Sequence, residues 1–252
     1  RLSSKDSYNP NRFEKAIRAA FDFIGYDAIW LGGSGKTDVL IKARTAPKLS
    51  YAVAVDAKST QSGNVTEDQI DFDTLKDHRK LHHADYSAIV GCSFRGERLL
   101  NRCKEHKVAL IDVDTLEQLI RNQVEIPLTG EDYKKIFEQT GIVDISVLDE
   151  ARNRIERYGL LVDAIVGCLV NESKDEVTEG ILTSREIYRT VRDDERFSIN
   201  PNLDEIEDIL KFLASPLIGC VGKNKDGYYA IGSLNEVAKK FQFYAKSCKR
   251  TG

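Results

Sequence analysis

The chain has 252 residues, 41% of them apolar, and a formal net charge of −3. That length suits one large domain or two ordinary ones, and that apolar content excludes wholesale disorder. No apolar run is long enough for a membrane span, and neither half has the basic excess of a protein that coats nucleic acid, so any DNA contact must come from local patches.

The chain begins at Arg1 and lacks methionine, which points to a fragment or processed piece. Cys92, Cys103, Cys168, Cys220 and Cys248 are scattered, and none forms a C-x-x-C pair. They read as reduced thiols of a cytoplasmic protein, not as a zinc ribbon. His82, His83 and His106 do not stand at zinc-ligand spacing from Cys103.

Along the chain, Phe13, Ala16, Ile17, Ala20, Phe21 and Ile24 recur at helical spacing over residues 11–25, and Gly25 ends that helix. Short strands follow at 28–31 and 38–43. A third, at 50–59, is almost continuously apolar and suits a central position. After a polar loop at 61–65, residues 66–83 read as one helix, with Glu67 and Asp68 near its positive end. A strand (86–94), a helix (97–106), a strand (108–113) and a helix (115–122) come next. Strands alternating with helices predict an α/β sandwich around a mixed sheet.

The second half is more helical. A long amphipathic helix is expected over 147–170, and Thr183 to Glu186 has capping-box spacing that opens another to about Arg192. A helix over 202–213 precedes strands at 218–223 and 228–231, joined by Asn224-Lys225-Asp226-Gly227, a hairpin turn. A last helix spans 234–248. This is the order of a winged-helix module. The expected domains are therefore 1–142 and 143–252, with the connecting stretch between about Gly130 and Ser146.

The chemistry concentrates between Gly32 and Lys58. Asp38 opens one strand, and Asp56-Ala57-Lys58 closes a hydrophobic one. Residues i and i+2 of a strand share a face, so Asp56 and Lys58 point the same way. Phosphodiester hydrolysis requires a deprotonated water, screened phosphoryl oxygens and a stabilised leaving oxygen. Two carboxylates can hold Mg²⁺ for this purpose, because Mg²⁺ takes hard oxygen ligands and keeps several waters. Asp38 and Asp56 are the expected ligands, with the Ala57 carbonyl as a third. Lys58 is placed to orient the water or stabilise the phosphorus centre. Glu14 on the first helix is either an added carboxylate or a solvated helix residue. Gln69 is either a positioning group or structural. Taken one at a time, each of these could be a cap or a surface ion pair. Gly35-Lys36-Thr37 is not a P-loop, since Trp30 stands where the first glycine belongs and a strand follows.

In this order, Glu14, Gly25-Tyr26, Leu31-Gly32-Gly33-Ser34, Lys36, Asp38, Val55-Asp56-Ala57-Lys58, Ser62-Gly63 and Gln69 resemble the PD-(D/E)xK nuclease superfamily. More narrowly, they resemble the cleavage domain of FokI-type type IIS restriction enzymes. The resemblance spans about residues 10–140. One departure is Thr37, where the family has proline, a matter of backbone stiffness and not of ligation.

The resemblance implies a restriction-endonuclease-like mixed sheet flanked by helices, followed here by the smaller winged-helix-like α+β domain. It implies Mg²⁺-dependent cleavage of double-stranded DNA (Mn²⁺ substituting) by an at least transient homodimer, with specificity supplied by another domain. The alternatives are a catalytically silent binding module on the same fold, or a structure-specific or RNA nuclease. In the second half the expected third helix carries Asp204, Glu205, Glu207 and Asp208 against Lys211, which disfavours phosphate contact through it. Arg152, Arg154, Arg157, Lys239, Lys240, Lys246, Lys249 and Arg250 are candidate phosphate contacts or simply a solvated face.

Overall fold

Phe13, Ile17, Ala20, Phe21 and Ile24 bury one face of helix α1 (Pro10–Ile24), which opens on a proline where no N–H is needed. Gly25, at φ +117°, adopts the left-handed conformation that ends the helix, its N–H bonding Phe21 and Asp22 carbonyls. The chain then enters strand β1 (Tyr26–Trp30). The computed structural model describes residues 3–6, 8–33 and 35–248, and two compact units divide between Arg152 and Asn153.

In the first unit β1 is followed by β2 (Val39–Ala43), β3 (Ala52–Lys58), β4 (Tyr86–Gly91), β5 (Val108–Asp112) and β6 (Gly141–Ile142). They form a six-stranded sheet in sequential order among the described residues. β1–β2–β3 pair antiparallel and β3 to β6 pair parallel. The mixed sheet is the one expected. Parallel neighbours need crossover helices, supplied by α2 (Phe72–Leu81) and α3 (Glu97–His106), with α4 (Val113–Glu125) and α5 (Gly130–Phe137) leading to β6.

Both faces of the sheet are covered. Ile89 and Leu110 pack with Phe72, Leu75, Leu99 and Cys103 of α2 and α3. Elsewhere Phe21, Tyr26, Tyr51, Tyr86 and Phe137 form an aromatic cluster with ring separations of 5.7–6.5 Å. The Tyr51 hydroxyl donates to the Gly130 carbonyl at 2.6 Å. Its single proton is thereby spent, so Tyr26 is the donor in the 2.6 Å Tyr26–Tyr51 bond. Burial raises the pKa of both phenols, which keeps the relay protonated.

Two stretches differ from the sequence reading. Residues 66–83 are not one helix. A 3-10 turn (Glu67–Gln69) gives way to extended Ile70 (φ −118°, ψ 119°), whose side chain is buried, and Asp71 then caps α2 by accepting from Asp73 and Thr74 N–H. Residues 130–146 are ordered into α5, β6 and a 3-10 turn (Ile145–Leu148). The reason is local and apolar: Thr129 and Asp132 form a capping box, and Tyr133, Ile136 and Phe137 are buried.

The second unit draws on α6 (Asp149–Glu172), α7 (Ser184–Val191), α8 (Leu203–Ala214), β7 (Val221–Lys223), β8 (Tyr228–Ala230) and α9 (Leu234–Cys248). Leu161, Ile165, Leu169, Ile187, Ile206 and Leu210 lie in its core. Thr183 and Glu186 cap α7 reciprocally. Asn224 bonds the N–H groups of Asp226 and Gly227 to close the β7–β8 hairpin, and Leu182 bridges to Tyr228. Among the described residues no helix is long and apolar enough to cross a membrane.

Candidate active site

β2 and β3 run antiparallel with Val39 opposite Val55. One residue before Val39 and one after Val55, that antiparallel register sets Asp38 beside Asp56. Asp38 is locked there from two directions. Its carbonyl accepts from Leu31 N–H at 3.0 Å, and its Oδ2 accepts from Ala57 N–H at 2.7 Å. Lys58 Nζ lies 2.8 Å from Asp56 Oδ2. The ion pair is shielded from solvent, since Asp56 Oδ2 itself is buried.

The charges in this group act on one another. Asp38 has its pKa raised to about 7, first by burial and then by the Asp56 carboxylate, with a smaller push from Glu14; Ala57 N–H and Lys58 oppose the rise. Two adjacent carboxylates of which one resists ionisation form a site that favours an added positive charge. Among the described residues no three His, Cys, Asp or Glu side chains are gathered as a metal cage. The donor set still fits Mg²⁺, which is held through one or two carboxylates and keeps waters elsewhere. The observation that supports that fit is Asp38, held by Ala57 N–H beside Asp56 and kept from ionising by burial and by that neighbour's charge.

Glu14 is buried, not solvated. Its Oε2 accepts from the Trp30 indole N–H at 2.7 Å. Lys15 Nζ sits 4.3 Å from the centre of the Trp30 ring. Gly32, at φ +54°, packs so closely that a Cβ there would meet indole carbons at 2.6 Å. The Gly-Gly loop thus makes room for Trp30, and Trp30 holds Glu14. Sequence reasoning missed Trp30; the available signal was the chain's single tryptophan at the end of a strand, just before Gly32-Gly33.

Gln69 is exposed, and its Oε1 accepts from Thr66 N–H at 3.0 Å, closing a capping box. The structure gives it this structural bond. His78, also missed, is buried on α2 and its Nε2 lies 3.1 Å from the Gly35 carbonyl, which ties the loop before Asp38 to α2. Thr37 is buried as well, with an unpartnered hydroxyl. Ser34 lies outside the described residues.

In the second unit, several of the candidate phosphate contacts are already committed. Arg157 forms a bidentate pair with Glu205 at 2.6 and 2.9 Å, and Lys240 donates to the Gly219 carbonyl at 3.0 Å. Lys211 pairs with Asp208 on α8. In the first unit, Arg152 lies 4.0 Å from Asp149. Lys249 and Arg250 lie outside the described residues.

Residues 5–120 match a family described as restriction endonuclease (Mrr_cat). The chain is similar to the type II restriction enzyme HgaI of Avibacterium volantium, with 29% identity over 120 residues, or 47% of this chain and 23% of that enzyme. It therefore spans under a quarter of that relative's length. Two solved structures of restriction endonuclease FokI, one bound to DNA, cover 57% of this chain at 19% identity. The overlaps are 30% and 29% of those chains, with TM-scores of 0.46 and 0.45.

Proposed function

We propose that the restriction endonuclease domain carried on residues 5–120 hydrolyses phosphodiester bonds of double-stranded DNA with a divalent metal, Mg²⁺ or in its place Mn²⁺. The observation that carries the reading is Asp38 held beside Asp56 with Lys58 2.8 Å from the latter's carboxylate. Asp38, Asp56 and the Ala57 carbonyl would hold the metal. The chemistry supplied by bound Mg²⁺ is screening of the phosphoryl oxygens and acidification of the attacking water.

The protein's own groups do the rest. Lys58, fixed by its contact with Asp56, brings a cation to the side where the water attacks and negative charge develops. Asp38 ionises once a second positive charge offsets its neighbour. Glu14, held by Trp30, adds a third carboxylate at the margin. Burial of Val53, Val55 and Val39 keeps the two strand ends rigid, so the groups are positioned before substrate arrives. One such site cuts one strand, so a double-strand break requires two copies to meet, at least transiently. Such a dimer gives a rate that rises faster than linearly with enzyme concentration.

The test is cleavage of supercoiled and linear duplex plasmid with Mg²⁺, Mn²⁺ or EDTA, by the native protein and by Asp56→Ala. Metal-dependent cleavage that falls by about a thousandfold or more in Asp56→Ala, with an unchanged circular-dichroism spectrum, is expected. Cleavage by Asp56→Ala at the native rate would overturn the reading. A native protein that neither cuts nor binds Mg²⁺ or Mn²⁺ would favour the silent binding module.

A further inference from the structure

We infer that a cleft along the same sheet edge, served by Lys5 and Arg95, binds a second phosphodiester of the DNA strand being cut; the inference rests on reading this domain as a DNA nuclease.

The placement follows from strand register. Lys58, Gly91 and Asp112 stand side by side at the ends of β3, β4 and β5. The cleft is lined by Lys5, Ser62, Asn64, Ser93, Arg95 and Asp114, among others. Ser62 and Asn64 follow closely after Lys58, Ser93 and Arg95 after Gly91, and Asp114 after Asp112. The cleft therefore continues the edge that presents Asp56 and Lys58, one to two strand spacings away, about 5–10 Å. That is the scale on which neighbouring phosphates of one strand are spaced.

The walls are built. Val65 N–H donates to the Ser93 carbonyl at 2.8 Å, and Ser93 Oγ lies 2.6 Å from Asn64 Oδ1 and 2.8 Å from the Gly63 carbonyl. The short turn Ser3–Lys5 is pinned to the same loops. Thr60 N–H donates to the Ser4 carbonyl at 3.0 Å, and the Cys92 thiol lies 2.9 Å from Ser4 Oγ. Ser4 is buried. Lys5 passes over Gly63, its Cε 3.8 Å from where a Cβ would be.

The cations are what remain uncommitted. Lys5 and Arg95 are both exposed, and among the described residues neither forms an ion pair or a side-chain hydrogen bond. Their neighbours on α3 differ: Arg98 and Arg102 are drawn to Glu67 at 3.2 and 3.9 Å. Asp114 on the rim has an interaction of its own. Two unpaired cations over a floor of hydroxyl and amide groups suit an anion with several acceptor oxygens. A phosphate contact of this kind fixes register and orientation without reading sequence.

Binding of a labelled duplex in EDTA, read by fluorescence anisotropy over a range of salt, tests this on the full chain. The native protein is compared with K5A/R95A and with the charge-keeping K5R/R95K, and metal-dependent plasmid cleavage is run beside each. Losing two phosphate contacts should lower the slope of log affinity against log salt by about 1.8 and weaken binding roughly tenfold at moderate salt. K5R/R95K should keep the native slope. An unchanged slope and affinity in K5A/R95A, with cleavage intact in the native protein, would overturn the subsite and leave the nuclease reading standing. A reduced slope without any cleavage by the native protein would do the reverse. A native protein that does not bind duplex would overturn both.

Discussion

The indole N–H of Trp30 donates to Glu14 Oε2 across 2.7 Å, joining the end of β1 to α1 over 16 residues of sequence. The acceptor is buried, so losing the donor leaves a desolvated oxygen unpaired. Trp30→Phe keeps an apolar ring but removes the donor. It leaves Glu14 free to rotate and costs about 1–3 kcal/mol of stability. A residue that orients a carboxylate near a metal usually matters by about 10–100-fold. We expect kcat for cleavage to fall by that order and the Mg²⁺ midpoint to rise, with little change in DNA affinity. Unchanged kcat and Mg²⁺ midpoint would make the bond purely structural.

Gly32 should give a related phenotype by a different route. A Cβ at this position would overlap indole carbons at 2.6 Å, and the backbone sits at φ +54°, where side chains are strained. Gly32→Ala must therefore displace Trp30 as well as strain the loop, a cost of about 1–3 kcal/mol. If both changes act through Glu14, the loss in kcat for Gly32→Ala with Trp30→Phe falls well short of the sum of the two single losses. Additive losses would separate the loop from the Trp30–Glu14 bond.

Asp38, Asp56 and Lys58 were legible in the sequence because strand alternation and the antiparallel step from β2 to β3 are short-range rules. The helix of Glu14 was legible too, but not its burial: Phe13 and Ile17 define the apolar face, and Glu14 sits at its edge, where only the distant Trp30 donor makes burial tolerable. Ile70 fits a helical pattern as well as an extended one, so the break before α2 left no trace in periodicity. α5 was hidden because it is short and its capping box uses Asp132, a residue read more readily as loop. For Gln69, on the turn after the loop, the sequence left a positioning and a structural role open, and its observed bond closes a cap. Gln69→Ala accordingly costs about 1 kcal/mol of stability and leaves kcat unchanged; a large kcat loss at native stability would restore a positioning role.

Thr37 stands where the nuclease family that the sequence resembles has proline, and its buried hydroxyl has no hydrogen-bond partner among the described residues. A desolvated, unbonded hydroxyl costs about 1–3 kcal/mol. Thr37→Val keeps the shape and removes the polar atom. The variant should melt a few degrees higher at about 2–4 °C per kcal/mol, with cleavage near the native rate because neither Thr37 nor its replacement carries a ligand atom. A lower melting temperature would mean that the hydroxyl is satisfied in solution.

Asp38 should set stability against activity. Its folded pKa, raised to about 7 by burial and by Asp56, exceeds the ordinary carboxylate value of 3.8. Between those values the folded state binds more protons than the unfolded chain, so rising pH lowers stability through this window. Above about 7 the penalty is complete, and below the ordinary value it vanishes. Asp38→Asn carries no charge at any pH and can still accept from Ala57 N–H. In EDTA its melting temperature should match the native protein near pH 4 and exceed it increasingly up to pH 7–8, by an amount equivalent to about 2–4 kcal/mol. Mg²⁺ should reverse the order, because a ligand bound only by the folded state raises stability and the native protein keeps both carboxylates. Cleavage should be lost in Asp38→Asn at every pH. A variant less stable than the native protein at pH 8 in EDTA would show that Asp38 is not held against its neighbour's charge, and one that still gains stability from Mg²⁺ as the native protein does would remove Asp38 from the metal site.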